Sequence, residues 1–241
     1  SGSGLLIYKN GVLISQGNQS GHGGEPIQVV STPHWRLEDW FGELFSNDQY
    51  QRFKNYWEHL IQYNKTINLI SDSTIRSADE IHFADSIIAF EAFKELNKSP
   101  TVYDIGSGNG FPGLIFAMLD PDVNYVLIDK DMRKVEFLKI MIAKLRVSNA
   151  EARHMLVEDL PDGSIQSAVS RAYAPLGRSL VQLRSKFASG GLYINLKSDS
   201  WAQEVGQLPV QICKYWDQGL VGSYDLPDSK RRYYIIKSTK A

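Results

Sequence analysis

From Trp35 to about Lys98, apolar residues recur at helical intervals. Ser46 and Gln49 have the spacing of a capping box, and Tyr50, Phe53, Trp57, Leu60, Ile61 and Asn64 follow in steps of three and four, predicting one amphipathic helix. A second such run covers Ile81 to Leu96, with Phe83, Ile87, Phe90 and Phe93 as its inner face, and Asn97-Lys98-Ser99-Pro100 ends it. After Pro100 the pattern changes. "TVYDI" and "NYVLID" are short apolar runs, each followed by helical spacing, the second through Val135, Leu138, Ile142 and Leu145. Further strand-like pieces are "AEARHML", "SAVSRAY", "GLYINL", "VQICKYW" and "RRYYIIKS". Strands alternating with helices predict an α/β fold with a mainly parallel sheet covered on both faces. The last two pieces lack a clear helix between them, so they predict an antiparallel edge.

Three segments follow. Residues 1–35 form a polar, Gly-rich extension: "SGSG" without a methionine reads as a processed or added end, and "QGNQSGHGGEP" as a flexible linker. Between them Asn10-Gly11 separates two apolar runs, the signal for a two-residue hairpin. Residues 36–98 read as a helical cap and 99–241 as the α/β core.

Composition, 43% hydrophobic and 22% charged, is that of an ordinary folded protein. No apolar run approaches the roughly 20 residues that span a bilayer, and no basic-then-apolar leader is present, so no membrane partner and a cytoplasmic location are the expectation. The lone Cys213 excludes an intrachain disulfide and a clustered thiolate metal site. A net charge of −1 speaks against a nucleic-acid binder, but it conceals an asymmetry: residues 171–241 carry eleven Lys/Arg against five Asp/Glu. The C-terminal part therefore has the charge for a basic face.

The chemistry centres on "YDIGSGNGFPGL", residues 103–114. A strand, then Gly106-Ser107-Gly108-Asn109-Gly110, then Pro112 opening a helix, is the first crossover of a doubly wound sheet, where ligands bind at the carboxyl ends of the strands. Glycines there permit tight turning and close approach, which points to a nucleoside-bearing cofactor. Asp129 ends the second strand, placed to accept hydrogen bonds from ribose hydroxyls. A dinucleotide and S-adenosylmethionine both remain open. The loop is out of register with G-x-G-x-x-G, and the acidic approach at Asp104 favours a cationic sulfonium over a pyrophosphate.

These residues resemble the RsmG/GidB methyltransferases, which methylate N7 of one guanine in bacterial small-subunit (16S) ribosomal RNA. The likeness rests on "YNKTINLIS", "HFADS", "YDIGSGNGFPGL", "DKDMRKVEFLK", "VED" and "SRAYAPL", in family order over roughly residues 36–241. It implies a Rossmann-like class I core that is S-adenosylmethionine-dependent, with a seven-stranded sheet and an N-terminal helical cap. The implied target is guanine 527. The implied cofactor site takes in Asp104, Gly106, Ser107, Gly108, Gly110 and Phe111, with Asp129 on the ribose and Val157 and Glu158 flanking the adenine. The resemblance implies that Arg171 faces the methyl-transfer site. The start of the chain has no counterpart in the family, and "LKS" stands where LKG is usual, which leaves the role of Lys197 open.

Guanine N7 carries an in-plane lone pair and no proton, so an in-line displacement needs no general base, in keeping with the lack of a nucleophile-base-orienter set. Placement is then the main task. The target must be unpaired or unstacked, because N7 lies deep in the A-form major groove. Phe111 and Tyr173 are candidate walls for it, and the Arg171 fork suits a phosphate or the guanine O6 edge. Arg133, Lys134, Arg178, Arg231 and Arg232 are candidates for the RNA backbone. His82 and Asp85 share one helical face, and with Asn64, Lys65 and Asn68 read first as a network tying cap to sheet, then as substrate contacts. No metal is expected. The expected partner is small-subunit rRNA or a partly assembled small subunit, met by a monomer. The alternatives are a methyltransferase for a protein or small molecule, and a dinucleotide-binding protein.

Overall fold

The computed structural model describes the backbone of residues 6–9, 12–16 and 30–31, and residues 32–241 in full. β1 (Leu6–Lys9) pairs antiparallel with β2 (Val12–Gln16), and β2 with the two-residue β3 (Val30–Ser31). The predicted hairpin strands are thus present. The Asn10-Gly11 turn and nearly all of the polar linker lie outside the described residues.

α1 (Leu37–Phe41) leads into α2 (Asn47–Asn64). Ser46 caps α2 by accepting from the Gln49 N–H at 3.2 Å, but Gln49 turns its own side chain to Arg52 and leaves the box half made. The buried stripe of α2 is Tyr50, Phe53, Tyr56 and Leu60, with Trp57 and Ile61 only partly covered. A π-helical turn, Asp79–Ala84, then runs into α3 (Asp85–Leu96); Phe83 on the turn and Ile87, Phe90 and Phe93 on α3 face inward as expected.

The core alternates β4 (Thr101–Ile105), α4 (Gly113–Leu119), β5 (Asn124–Asp129), α5 (Met132–Lys144), β6 (Ala150–His154), β7 (Ile165–Arg171), α6 (Leu176–Leu183), β8 (Phe187–Lys197), α7 (Trp201–Gly206), β9 (Trp216–Asp225) and β10 (Arg232–Lys240). The seven strands run in the order β6-β5-β4-β7-β8-β10-β9, with β6 to β8 parallel and β10 antiparallel to both neighbours. One expectation is corrected. "VQICKYW" is not a strand: Val210–Lys214 form a 3₁₀ turn that buries Ile212, and the edge strand begins at Trp216.

Side chains alternate across the sheet. On β5, Tyr125 and Leu127 join the core beneath α2 to α5, while Val126 and Ile128 join the core beneath α6. After β4 the chain builds outward through β5 and β6, then returns to the other side of β4 with β7. That reversal opens a crevice at the carboxyl ends of β4 and β7.

The cap is fastened to the far edge of the sheet. The Arg36 guanidinium donates to both oxygens of buried Asp79, each at 3.0 Å, and to Asp228 at 2.9 Å. The Glu80 carboxylate accepts from the backbone N–H groups of Asp228 and Ser229, in the β9–β10 connection.

Candidate active site

The loop leaving β4 is laced to its neighbours through its backbone. Ser107 N–H donates to the Ile128 carbonyl at 2.9 Å and Gly110 N–H to the Ser107 carbonyl at 2.8 Å. Gly106 has φ +69° and Gly110 φ +96°, and a Cβ on either would lie 2.2 Å from a neighbour: the Tyr173 ring at Gly106, the Tyr56 hydroxyl at Gly110. Both conformation and space therefore require glycine there. The Asp129 carboxylate accepts from Gly108 N–H and from Asp131 N–H, each at 2.8 Å, which fixes it between the loop and the start of α5.

The loop floors a crevice of about 570 Å³, within the range of small-molecule sites. Of the residues expected from sequence, Gly106, Ser107, Gly108, Phe111, Asp129, Val157, Glu158, Arg171 and Tyr173 line it, and so does Lys134. Sequence reasoning missed the apolar wall of Ile128, Met155 and Leu156, together with Asn109 and Gln182. Gln182 links two expected residues. It accepts from the Tyr173 hydroxyl at 2.6 Å and donates to Glu158, whose carboxyl it holds below the usual range, while burial raises the Tyr173 phenol.

Asp104 and Gly110 do not line the crevice. Asp104 lies beneath the loop, buried, and its Oδ2 accepts from Ser107 Oγ at 3.1 Å and Gly113 N–H at 2.8 Å. Burial pushes its carboxyl up to about 7 despite those donors. Asp104 is expected from sequence to put a negative charge near the ligand; the structure sets it under the loop, outside the crevice lining, where it holds Ser107 and Gly113.

Arg171, at the end of β7, is the centre of a knot between sheet and cap. Its Nη1 donates to the Ile81 carbonyl at 2.9 Å and to Asp85 at 3.2 Å, and its Nη2 lies 2.6 Å from His82 Nδ1. Tyr224, from β9, donates to the other Asp85 oxygen at 2.6 Å. Burial raises the Asp85 carboxyl against the pull of Arg171 and Tyr224, and burial together with the Arg171 charge pushes the His82 imidazole well below its ordinary value, so it is neutral. Of the residues expected to tie cap to sheet, His82 and Asp85 do so through Arg171, 89 and 86 positions away. Phe111 packs in its middle, stacked on Tyr56 with centroids 4.9 Å apart and on His82 at 5.2 Å, with the Arg171 guanidinium 5.5 Å from its ring. Phe111 is therefore chiefly a buried link that shows one edge to the crevice. Ala172, between Arg171 and Tyr173 in the crevice lining, takes φ +54°, a strained value for a residue with a side chain.

The basic candidates for RNA lie on separate elements. Arg133 donates to the Thr66 carbonyl, Arg178 lies on α6, Arg232 pairs with Asp225 at 2.8 Å, and Arg231 is exposed beside it. Lys197 bonds to the Ala174 carbonyl and Glu204, and Asn64 accepts from Leu69 and Ile70 N–H, both structural uses. Among the described residues no three His, Cys, Asp or Glu side chains gather as metal ligands, and no helix is long and apolar enough to cross a membrane.

A β6-β5-β4-β7-β8-β10-β9 sheet with a glycine loop at its switch point and a carboxylate ending the neighbouring strand defines the class I methyltransferase fold. Geranyl diphosphate methyltransferase, solved with GPP and sinefungin, has this fold with a TM-score of 0.50, at 9% identity over 80% of this chain and 99% of that one. Within the class, residues 49–216 match the family described as rRNA small subunit methyltransferase G, GidB. The chain is 41% identical, over 88% of its length and 96% of the relative's, to ribosomal RNA small subunit methyltransferase G 3 of Bdellovibrio bacteriovorus. It is 29% identical to the ribosomal RNA small subunit methyltransferase G of Halorhodospira halophila, over 76% and 85% of the two chains. The chain belongs to the rRNA small subunit methyltransferase G family.

Proposed function

We propose that this protein transfers the methyl group of S-adenosylmethionine to N7 of a guanine in 16S rRNA, at position 527. The observation that carries the reading is the crevice itself: one pocket joins the glycine loop and Asp129 to Arg171, His82 and Tyr173. The residues fit the donor. Asp129 suits the ribose, the Ile128, Met155, Leu156 and Val157 wall suits the adenine with Glu158 at its edge, and Gly106 with Arg171 suits the methionine end. S-adenosylmethionine supplies a methyl group on a positively charged sulfur, ready for displacement.

The protein's own part is placement. Guanine N7 needs no proton removed, and no side chain in the crevice is arranged as nucleophile and base. Arg171 and Tyr173 border the space where the base must sit. Orientation of this kind is worth roughly 7–11 kcal/mol. Residues 36–98 serve as a cap that completes the crevice wall and residues 99–241 as the catalytic core. The substrate is small-subunit rRNA, alone or partly assembled, met by a monomer in the cytoplasm.

Two measurements test this. S-adenosylhomocysteine binds in calorimetry while NADH does not; the reverse result removes the methyl donor. Cells lacking the protein yield rRNA that loses one reduction-and-aniline cleavage site, which purified protein restores. Unchanged cleavage removes the guanine N7 assignment.

A further inference from the structure

The His82 imidazole lines the crevice, is only 9% exposed, and has one polar atom unaccounted for. Its Nδ1 lies 2.6 Å from Arg171 Nη2. A guanidinium nitrogen can only donate, so Nδ1 is the acceptor, and in a neutral imidazole the proton then sits on Nε2. That N–H has no partner within the protein. Rotating the ring by half a turn would set Cδ2, which cannot accept, against the Arg171 guanidinium, so the contact also fixes the ring's orientation. Buried donors are rarely left unpaired, and one that lies just beneath the surface of a side chain lining the crevice points to an acceptor that arrives with the ligand.

The donor is also held still. Phe111 stacks on the ring at 5.2 Å, and Arg171 is itself fixed by Asp85 and the Ile81 carbonyl. It has the rigidity that discrimination needs.

We propose that His82 reads O6 of the target guanine through its free N–H and so selects guanine over adenine. The proposal rests on the reading that guanine N7 is the methyl acceptor. A purine that turns N7 toward the donor presents the neighbouring group on the same edge: an oxygen acceptor in guanine, an amino donor in adenine. A fixed donor pairs with the first and opposes the second. A neutral imidazole also adds no positive charge beside a purine that becomes cationic as its N7 takes the methyl group.

The test is a cycle that removes either partner. Wild type and His82→Leu are each given small-subunit RNA carrying guanosine or 2-aminopurine riboside at the target; the analogue keeps N7 and lacks O6. Loss of O6 lowers kcat/KM for the wild type about tenfold more than for His82→Leu. The S-adenosylhomocysteine Kd of the two proteins agrees within about threefold. His82→Gln, whose amide keeps an N–H donor, retains the preference for guanosine, and His82→Phe, which keeps a ring and lacks the donor, takes the place of His82→Leu should that variant not fold. Equal losses in both proteins overturn the proposal, as does a fall in cofactor affinity that accounts for the whole defect. A wild-type reaction with no N7-methylguanine overturns the underlying reading instead, and is seen before any variant is made.

Discussion

The Tyr56 hydroxyl, on the second helix of the cap, donates a 2.5 Å hydrogen bond to the Asn109 carbonyl in the glycine loop. The same ring stacks on Phe111, so one cap residue sets both the loop and the wall beside it. Tyr56→Phe keeps the stack and removes the hydrogen bond. Losing a buried hydrogen bond of this kind costs about 1–2 kcal/mol, which lowers Tm by roughly 2–8 °C for a chain of this size. Thermal melts with and without S-adenosylhomocysteine check it; the expected result includes a smaller ligand-induced rise in the variant.

Two glycines of the loop separate strain from space. Gly108 has φ +56° and its nearest obstacle is 3.8 Å from a Cβ, whereas Gly110 has φ +96° and meets Tyr56 at 2.2 Å. Gly108→Ala therefore carries only a backbone penalty of about 1–2 kcal/mol. Gly110→Ala must also displace Tyr56 and is the more destabilising of the two by chemical denaturation. Equal costs would show that the cap does not press on the loop.

Asp104 gives stability a pH dependence with a definite sign. Its folded value, about 7, lies above its unfolded value of 3.8. Its contribution is fully present below the unfolded value and is lost as pH rises from about 4 through 7. Asp104→Asn keeps an oxygen for Ser107 and Gly113 and cannot ionise. The wild type minus variant stability is expected to fall by an amount on the order of a few kcal/mol between pH 4 and 8 and to be flat beyond. A difference independent of pH would mean that the carboxyl stays ionised throughout.

Arg171 neutralises Asp85, which is 1% exposed. Arg171→Met leaves that carboxylate buried with only Tyr224 and is expected to cost about 3–5 kcal/mol. Adding Asp85→Leu recovers part of the loss, so the double variant is more stable than the sum of the singles. Transfer activity stays lost in both, because the crevice wall has changed.

Surface arginines predict a salt effect. Arg231→Ala lowers the slope of log affinity for rRNA against log salt by about 0.7–0.9 if it meets a phosphate. Arg232→Ala changes the slope less, since Asp225 already engages its guanidinium. Filter binding across salt concentrations measures both.

Much of the site was legible because its residues sit at strand ends, where local sequence and motif coincide: Gly106, Asp129, Val157, Glu158 and Arg171 all line one crevice. Tyr56 was hidden because a three-and-four step from Phe53 lands equally on Tyr56 or Trp57, and only packing against Gly110 and Phe111 chooses between them. Gln182 and the His82–Arg171 contact depend on elements that meet only after the sheet has formed. The edge strand was misplaced for a different reason. The pairing of β9 with β10 shifts register between Ile235 and Ile236, passing over Val221, which breaks the two-residue alternation in "WDQGLVGSYD", while "VQICKYW" imitates it by chance.

The contacts of Arg36 and Glu80 with the β9–β10 connection lie at the β9 border of the sheet, away from the glycine loop that follows the interior strand β4. With Tyr56 pinning one end and these bonds the other, the helical layer has no free edge about which to hinge. Swinging the helical layer off the sheet would have to break the Tyr56 bond and the Arg36 and Glu80 bonds together, so the crevice wall that this layer supplies is expected to hold its place when a ligand enters.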